Sequence, residues 1–126
     1  DNVVANALHE LVILGVAREF DAPYQWSAHI AQAREVGLSN AAIEAARTGS
    51  SATELSIDER DVLELTRQLC RTHQLDQALF DSLVGRHSER WVMLVVATVG
   101  QYQYVATFNN AFEVDTLPGD DQLSSG

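Results

Sequence analysis

The sequence predicts an all-α protein of about six helices, and three observations support this fold class. Ala, Leu, Glu, Gln and Arg dominate the segments in which apolar residues recur at helical spacing. Strict alternation of apolar and polar residues, which is typical of strands, is scarce. With 126 residues, 46% of them hydrophobic, the chain is also long enough for one domain with its own core.

The first two helices are delimited by local signals. The first helix is expected at about residues 3–20. Asp21-Ala22-Pro23 is typical of a helix start, because Asp21 can cap free backbone amides and proline is tolerated in a first turn. This start predicts a second helix to about Val36, and Gly37 is well placed to end it in the left-handed conformation.

Serine residues mark the starts of later helices. Ser39 is expected to cap a short third helix over residues 40–47. Ser56 and Glu59 match a capping box, which predicts a fourth helix to about His73.

The second half of the chain predicts a fifth helix at residues 75–84 and a long sixth helix from Glu89 to about Phe112. Ser88 is expected to cap this last helix, which is predicted to be the central element of the fold. Gly100, near its middle, allows a close helix crossing or a slight bend. Its inward stripe is expected to comprise Trp91, Leu94, Val95, Thr98, Tyr102, Val105 and Phe112.

The chain is predicted to divide into a helical domain, residues 1–113, and a flexible acidic tail, residues 114–126, which is expected to be mobile or wrapped on a neighbour because it lacks periodicity. The net charge is −10, from 18 acidic and 8 basic residues, and all the basic residues are dispersed arginines. Nucleic acid is therefore not an expected partner, since phosphate binding requires clustered basic residues. The absence of lysine excludes Schiff-base catalysis on a lysine side chain.

Membrane insertion and metal binding are not expected either. The longest apolar runs, residues 11–17 and 91–99, are shorter than the roughly 18 to 20 residues that a membrane-spanning helix needs. Cys70 is the only cysteine, so an intrachain disulfide is impossible, and we expect a small buried apolar side chain in a cytoplasmic protein. The four histidines lack the spacing of metal ligands, and no cofactor is predicted.

The strongest candidate for chemistry is an acid and an imidazole, Glu10 and His29. Glu10 interrupts an apolar stretch, and on a helix it shares a face with Ile13 and Leu14. A buried carboxylate needs a partner, and His29 on the next helix can supply one. One interpretation is a general acid or base, His29, oriented by Glu10; the other is a purely structural pair that joins two helices.

Other residues are candidates for the surroundings of this pair. Tyr24 and Tyr102 are expected to be core aromatics, of which either hydroxyl can donate into a substrate pocket. Arg18, about two turns after Glu10, is a candidate partner for an anionic substrate. His9 is expected at the surface or at a subunit contact, because consecutive residues on a helix differ by about 100° in direction.

Three segments also have a pattern in common with a known family: Glu10-Leu11-Val12-Ile13-Leu14, Ala22-Pro23-Tyr24-Gln25-Trp26-Ser27-Ala28-His29 and Ala33-Arg34-Glu35-Val36-Gly37-Leu38-Ser39. Together they resemble the carboxymuconolactone decarboxylase family of the alkylhydroperoxidase D-like superfamily. Weaker similarity covers Val99-Gly100-Gln101-Tyr102 and Asn109-Asn110-Ala111-Phe112. The resemblance implies a helical fold of that type, assembled as a homo-trimer or homo-hexamer, with the active site near subunit contacts.

The redox branch of that superfamily is recognised by a Glu, a Cys-x-x-Cys pair and a His. Its Glu and His correspond to Glu10 and His29, whereas the cysteine positions hold Ala22 and Gln25. Peroxide reduction needs a reactive thiolate and a second, resolving thiol, so this chain is expected to lack that activity.

The resemblance favours a non-redox, cofactor-free lyase that acts on a small carboxylated or lactone metabolite, as in aromatic compound catabolism. In this hypothesis His29 transfers the proton, Glu10 orients it, and Tyr24 and Tyr102 contact the substrate. One alternative is a non-catalytic helical oligomer for binding or assembly. Another, ranked last, is an alkylhydroperoxidase-type antioxidant activity that uses Cys70.

Overall fold

The computed structural model describes residues 3–51 and 54–124, which contain six α-helices. They are α1 (Asn6–Glu19), α2 (Pro23–Glu35), α3 (Asn40–Thr48), α4 (Ile57–Arg71), α5 (Gln77–Arg86) and α6 (Glu89–Ala111). No strand occurs in these ranges, so the predicted all-α fold class is confirmed. Across the same ranges, no helix combines the length and the apolar character that a membrane crossing requires.

The serine caps predicted from the sequence are present. The side chains of Ser39 and Ser88 each accept a hydrogen bond from the backbone N–H three residues later. Ser56 and Glu59 form both bonds of a capping box: the Glu59 N–H donates to Ser56 Oγ at 3.1 Å, and the Ser56 N–H donates to Glu59 Oε1 at 2.9 Å. These helix starts are therefore fixed by interactions within a few residues.

The turn between α1 and α2 differs from the prediction, because Asp21 does not cap α2. Asp21 has a φ of 47°, a left-handed conformation that aspartate tolerates, and its carboxylate pairs with Arg18 at 3.1 Å. Ala22 occupies the N-cap position without a side-chain hydrogen bond. The end of α2 agrees with the prediction, since Gly37 has a φ of 88°.

The helix at the centre of the fold is α1 and not α6. It contacts α2, α3, α4 and α6, and every residue from Glu10 to Ala17 is buried, as expected for a helix that is apolar on all sides. The close helix crossing is at Gly15, where an added Cβ would lie 3.2 Å from both Leu63 Cδ1 and Thr66 Cγ2. An added Cβ at Gly100 meets no described atom within 4 Å, so the close crossing allowed at that position is not made within the chain.

Residues 3–51 and 54–124 cover only one side of α6. Its buried residues are Trp91, Val92, Val95, Val99 and Ala106. Leu94 and Phe112, both expected to face inward, are 39% and 68% exposed. The prediction was wrong at these positions because α6 is apolar around most of its circumference, so composition does not distinguish the covered side from the free one.

The residues that follow α6 fold back onto the first three helices. The indole N–H of Trp26 donates to the backbone oxygen of Asp121 at 2.9 Å. The carboxylate of Asp121 accepts from Arg34 Nε at 2.6 Å and also from Arg47. As far as Ser124, the predicted flexible tail is therefore anchored on its own chain, whereas the domain boundary at residue 113 stays a prediction.

Candidate functional site

The fold brings Glu10 and His29 together. The short turn between α1 and α2 folds the two helices back on each other, and His29 Nδ1 lies 3.1 Å from Glu10 Oε1. Glu10 is only 7% exposed, whereas 27% of the His29 side chain is exposed. The pair thus has a buried acid and an imidazole that solvent can reach.

The chemistry of the pair determines the role of each histidine nitrogen. When Glu10 is ionised, its carboxylate only accepts hydrogen bonds, and Nδ1 is then the nitrogen that donates to it. The other nitrogen, Nε2, makes no hydrogen bond with the part of the chain that the structure describes. Glu10 therefore orients the ring and leaves Nε2 available to exchange a proton with solvent or with a bound molecule.

Tyr102 on α6 is the third member of this cluster. Its ring centroid lies 5.5 Å from that of His29, with an interplanar angle of 85°. Burial raises the pKa of the Tyr102 hydroxyl, and the negative charge of Glu10 raises it further. The hydroxyl therefore stays protonated at neutral pH and can donate a hydrogen bond.

His9 lies closer to this cluster than the sequence predicts. Its half-buried ring forms an edge-on contact with Tyr102 at a centroid distance of 6.2 Å. Although His9 and His29 lie on different helices, the ring of Tyr102 on α6 contacts both of them, and directions around α1 alone do not predict this. No signal in the sequence marks this contact.

Tyr24 lies in a different part of the surface. It lines an open depression of about 500 Å³ together with residues of the α1–α2 turn, the end of α6 and the chain beyond it, such as Asn109 and Glu113. Neither Glu10 nor His29 is among the residues that line this depression. The structure therefore does not bring Tyr24 to the acid–imidazole pair, and its role as a substrate contact stays a prediction.

The hypothesis from the sequence also expects a hollow beside the pair. Residues 3–51 and 54–124 also form three depressions along α6, one near His73, one near Phe80 and one near Phe108. They are lined by side chains other than Glu10 and His29. A substrate pocket at the pair stays a prediction. In the structure, a molecule can reach the pair at the solvent-exposed edge of the His29 ring.

The guanidinium of Arg18 is committed to its own chain. It donates to the backbone oxygens of Arg47 at 2.8 Å and Ser124 at 3.0 Å, besides its pair with Asp21. Arg18 thus holds the end of the chain against α3. Its side chain is only 11% exposed and three of its N–H groups already bind protein oxygens, so a role in binding an anionic substrate stays a prediction.

The two positions that the resemblance pairs with the cysteines of the redox branch are closed to solvent. Ala22 and Gln25 are 0% and 1% exposed. Gln25 Nε2 donates to the backbone oxygen of Ile13 at 3.0 Å, and Gln25 Oε1 has no hydrogen-bond partner among the described residues. A buried amide between α1 and α2 therefore stands at a position that the resemblance pairs with a cysteine of the redox branch.

Cys70 lies on α4 and is half-buried, which is less than the fully buried position expected. Burial raises the pKa of its thiol, which makes the reactive thiolate scarcer at neutral pH. Its sulfur accepts a weak hydrogen bond from Gln103 Nε2 at 3.5 Å. Within residues 3–51 and 54–124, no group of three or more His, Cys, Asp or Glu residues is placed to hold a metal ion.

Comparisons of the chain with known proteins give no match to a family model, to a curated protein or to a solved structure. The resemblance to the carboxymuconolactone decarboxylase family therefore depends on the residues quoted above. Family membership and the activity it implies are proposals.

Proposed function

We propose that this chain is a cofactor-free lyase similar to carboxymuconolactone decarboxylases, which acts on a small carboxylated or lactone metabolite by proton transfer at His29. The observation that carries the proposal is the 3.1 Å contact between His29 Nδ1 and Glu10 Oε1. A buried carboxylate that orients a partly exposed imidazole meets the basic requirement of a general acid or base.

The proposed reaction uses the two nitrogens of His29 separately. When the bond between a carboxylate and a carbon conjugated to a carbonyl breaks, carbon dioxide leaves and its bonding electron pair moves into the carbonyl as an enolate. Protonated Nε2 then delivers one proton to carbon, and the imidazole regains a proton from solvent at its exposed edge.

Glu10 and Tyr102 assist this transfer in different ways. Glu10 Oε1, 3.1 Å from Nδ1, holds the imidazole ring in place while Nε2 transfers the proton. Tyr102, kept protonated by its raised pKa, supplies a hydroxyl that can donate to the enolate oxygen. Assembly as a homo-trimer or homo-hexamer and a cytoplasmic location belong to the same proposal.

The first experiment is a screen of lactones and muconate-type acids for thermal stabilisation, followed by measurement of carbon dioxide release for each ligand found. A ligand that binds only the native state at 100 times its Kd stabilises it by about 2.7 kcal/mol, which raises the melting temperature measurably. We expect His29→Gln to lower turnover by about 10² to 10⁴-fold while the variant stays folded.

The matched control is His73→Asn. His73 is exposed and has a φ of 67°, which asparagine tolerates, so this variant removes an imidazole without disturbing the pair. Turnover that survives in His29→Gln, or the absence of any ligand across the panel, contradicts the proposal. A large fall in melting temperature of His29→Gln with unchanged ligand binding supports a purely structural pair instead.

A further inference from the structure

One side of α6 is exposed to solvent and carries no charge. Charged residues make up 21% of the chain, yet none occurs from Trp91 to Phe112. Helices that face water normally carry charged residues on the solvent side. The α6 face, as we define it, comprises Met93, Ala97, Gly100, Tyr104, Phe108 and Phe112, all of which are exposed.

The second half of the α6 face is a ridge of three aromatic rings. The centroids of Tyr104 and Phe108 lie 6.5 Å apart and those of Phe108 and Phe112 lie 4.8 Å apart. These side chains are 71%, 53% and 68% exposed, respectively. At roughly 200 Å² for each fully exposed ring, they leave about 400 Å² of largely apolar surface in water.

This area equals that of the largest apolar patch on a typical monomeric protein. The largest apolar patch on a monomeric protein is typically about 300–600 Å² and often functional. A stable interface buries about 800 Å² on each partner, so the ridge supplies about half of one side. Met93, which is 69% exposed, and Ala97 continue the same face toward the start of α6.

Gly100 divides the α6 face into two unlike halves. It lies at the middle of α6 and offers an open notch, because a Cβ there meets no described atom within 4 Å. If two α6 helices cross antiparallel at this notch, Phe108, about 12 Å beyond the crossing, lies opposite Met93, about 10 Å before it in the other copy. In this arrangement the aromatic half of each copy covers the aliphatic half of the other copy. The same contact therefore occurs twice, as a two-fold interface requires.

The charges at the two ends of α6 favour the same antiparallel arrangement. Arg90 makes no ion pair or side-chain hydrogen bond with the described part of the chain, whereas every other arginine makes at least one. The carboxylate of Glu113, just beyond the other end, likewise has no ion pair within residues 3–51 and 54–124.

Antiparallel crossing brings these opposite charges together. Arg90 lies about 15 Å before Gly100 along α6 and Glu113 about 20 Å after it, a mismatch that an extended arginine side chain can span. A parallel arrangement instead places Arg90 against Arg90. Since each copy has a net charge of −10, the uncharged α6 face is also a place where two copies meet without opposing like charges.

We propose that the α6 face is the contact surface for a second copy of this chain, with the two α6 helices crossing antiparallel at Gly100. This inference is independent of the proton transfer proposed above. This two-fold contact joins two chains into a dimer, or two trimers into a hexamer. An isolated trimer has three-fold symmetry and does not contain the contact.

The test is sedimentation of the full chain over a wide concentration range. Wild-type protein is expected to form a dimer or a hexamer. Phe108→Glu is expected to raise the dissociation constant of the two-fold contact at least about thirtyfold, because it places a charge at the centre of the ridge. Ile57→Glu on α4 is the matched control: Ile57 is 50% exposed against 53% for Phe108, and its substitution is expected to leave assembly unchanged.

Two further variants test the geometry, with circular dichroism to show that each copy is folded. Gly100→Leu fills the notch without meeting its own chain at Cβ, and is expected to separate the copies. Arg90→Glu is expected to weaken the contact, and adding Glu113→Arg is expected to restore it. The proposal is overturned if wild-type protein is monomeric or trimeric at every concentration, or if Phe108→Glu behaves like Ile57→Glu.

Discussion

Replacement of Asp121 by alanine tests whether the end of the chain contributes to the stability of the helical domain. Asp121 and Arg34 have side chains that are 36% and 42% exposed, so solvent screening limits their ion pair to about 0.2–1 kcal/mol. The Arg47 side chain is only 14% exposed, and a hydrogen bond to a charged group in such a setting contributes about 1.5 kcal/mol or more. Together, Asp121→Ala is expected to cost about 2 kcal/mol of unfolding free energy.

This loss should depend on pH. The hydrogen bond from Arg34 is the main cause that lowers the pKa of Asp121 in the folded chain, with a further contribution from Arg47. A carboxylate with a lowered folded pKa stabilises the protein above its unfolded pKa of about 3.9 and loses this effect as the pH falls through the folded value. The difference between wild type and Asp121→Ala is therefore complete at neutral pH and shrinks below about pH 4.

Thermal unfolding followed by circular dichroism measures both effects. With an unfolding entropy of about 2.1 cal/mol/K per residue, a loss of about 2 kcal/mol lowers the melting temperature by roughly 8 °C. Asp120→Ala is the matched control, because the neighbouring exposed carboxylate has no ion pair in the described ranges. Equal melting temperatures for the two variants at neutral pH would refute this reasoning.

Two other predictions follow from packing and burial. Urea unfolding of Gly15→Ala is expected to give a free energy of unfolding at least about 0.5 kcal/mol lower than that of Gly85→Ala. A Cβ at Gly15 crowds α4, whereas a Cβ at Gly85 meets no described atom within 4 Å and raises the helix propensity. Equal stabilities would show that α4 yields without cost. Near neutral pH, iodoacetamide is expected to alkylate Cys70 more slowly in the folded protein than in the urea-unfolded protein, because burial raises the pKa of the thiol and shields it. Mass spectrometry measures the two rates, and equal rates would contradict the prediction.

The acid–imidazole pair shows how far sequence reasoning reaches at the candidate site. The contact between Glu10 and His29 was predictable, since a short turn brings back the next helix and an acid in an apolar stretch needs a partner. Tyr102 was named only as one of two possible hydroxyl donors, and the contact of His9 with Tyr102 was missed. Both depend on how α6 lies against α1, which sequence spacing does not specify.

The amino-acid sequence by itself determined the helical fold class and the caps at Ser39, Ser56 and Ser88, because a cap involves atoms only a few residues apart. Only the tertiary structure decided that α1 is the buried centre and that α6 keeps one free face, since both helices are rich in apolar residues and burial depends on which neighbours cover them. It also decided that Asp121 is held by Arg34 and Arg47, because a contact between residues so far apart in the chain exists only once the helices between them have packed.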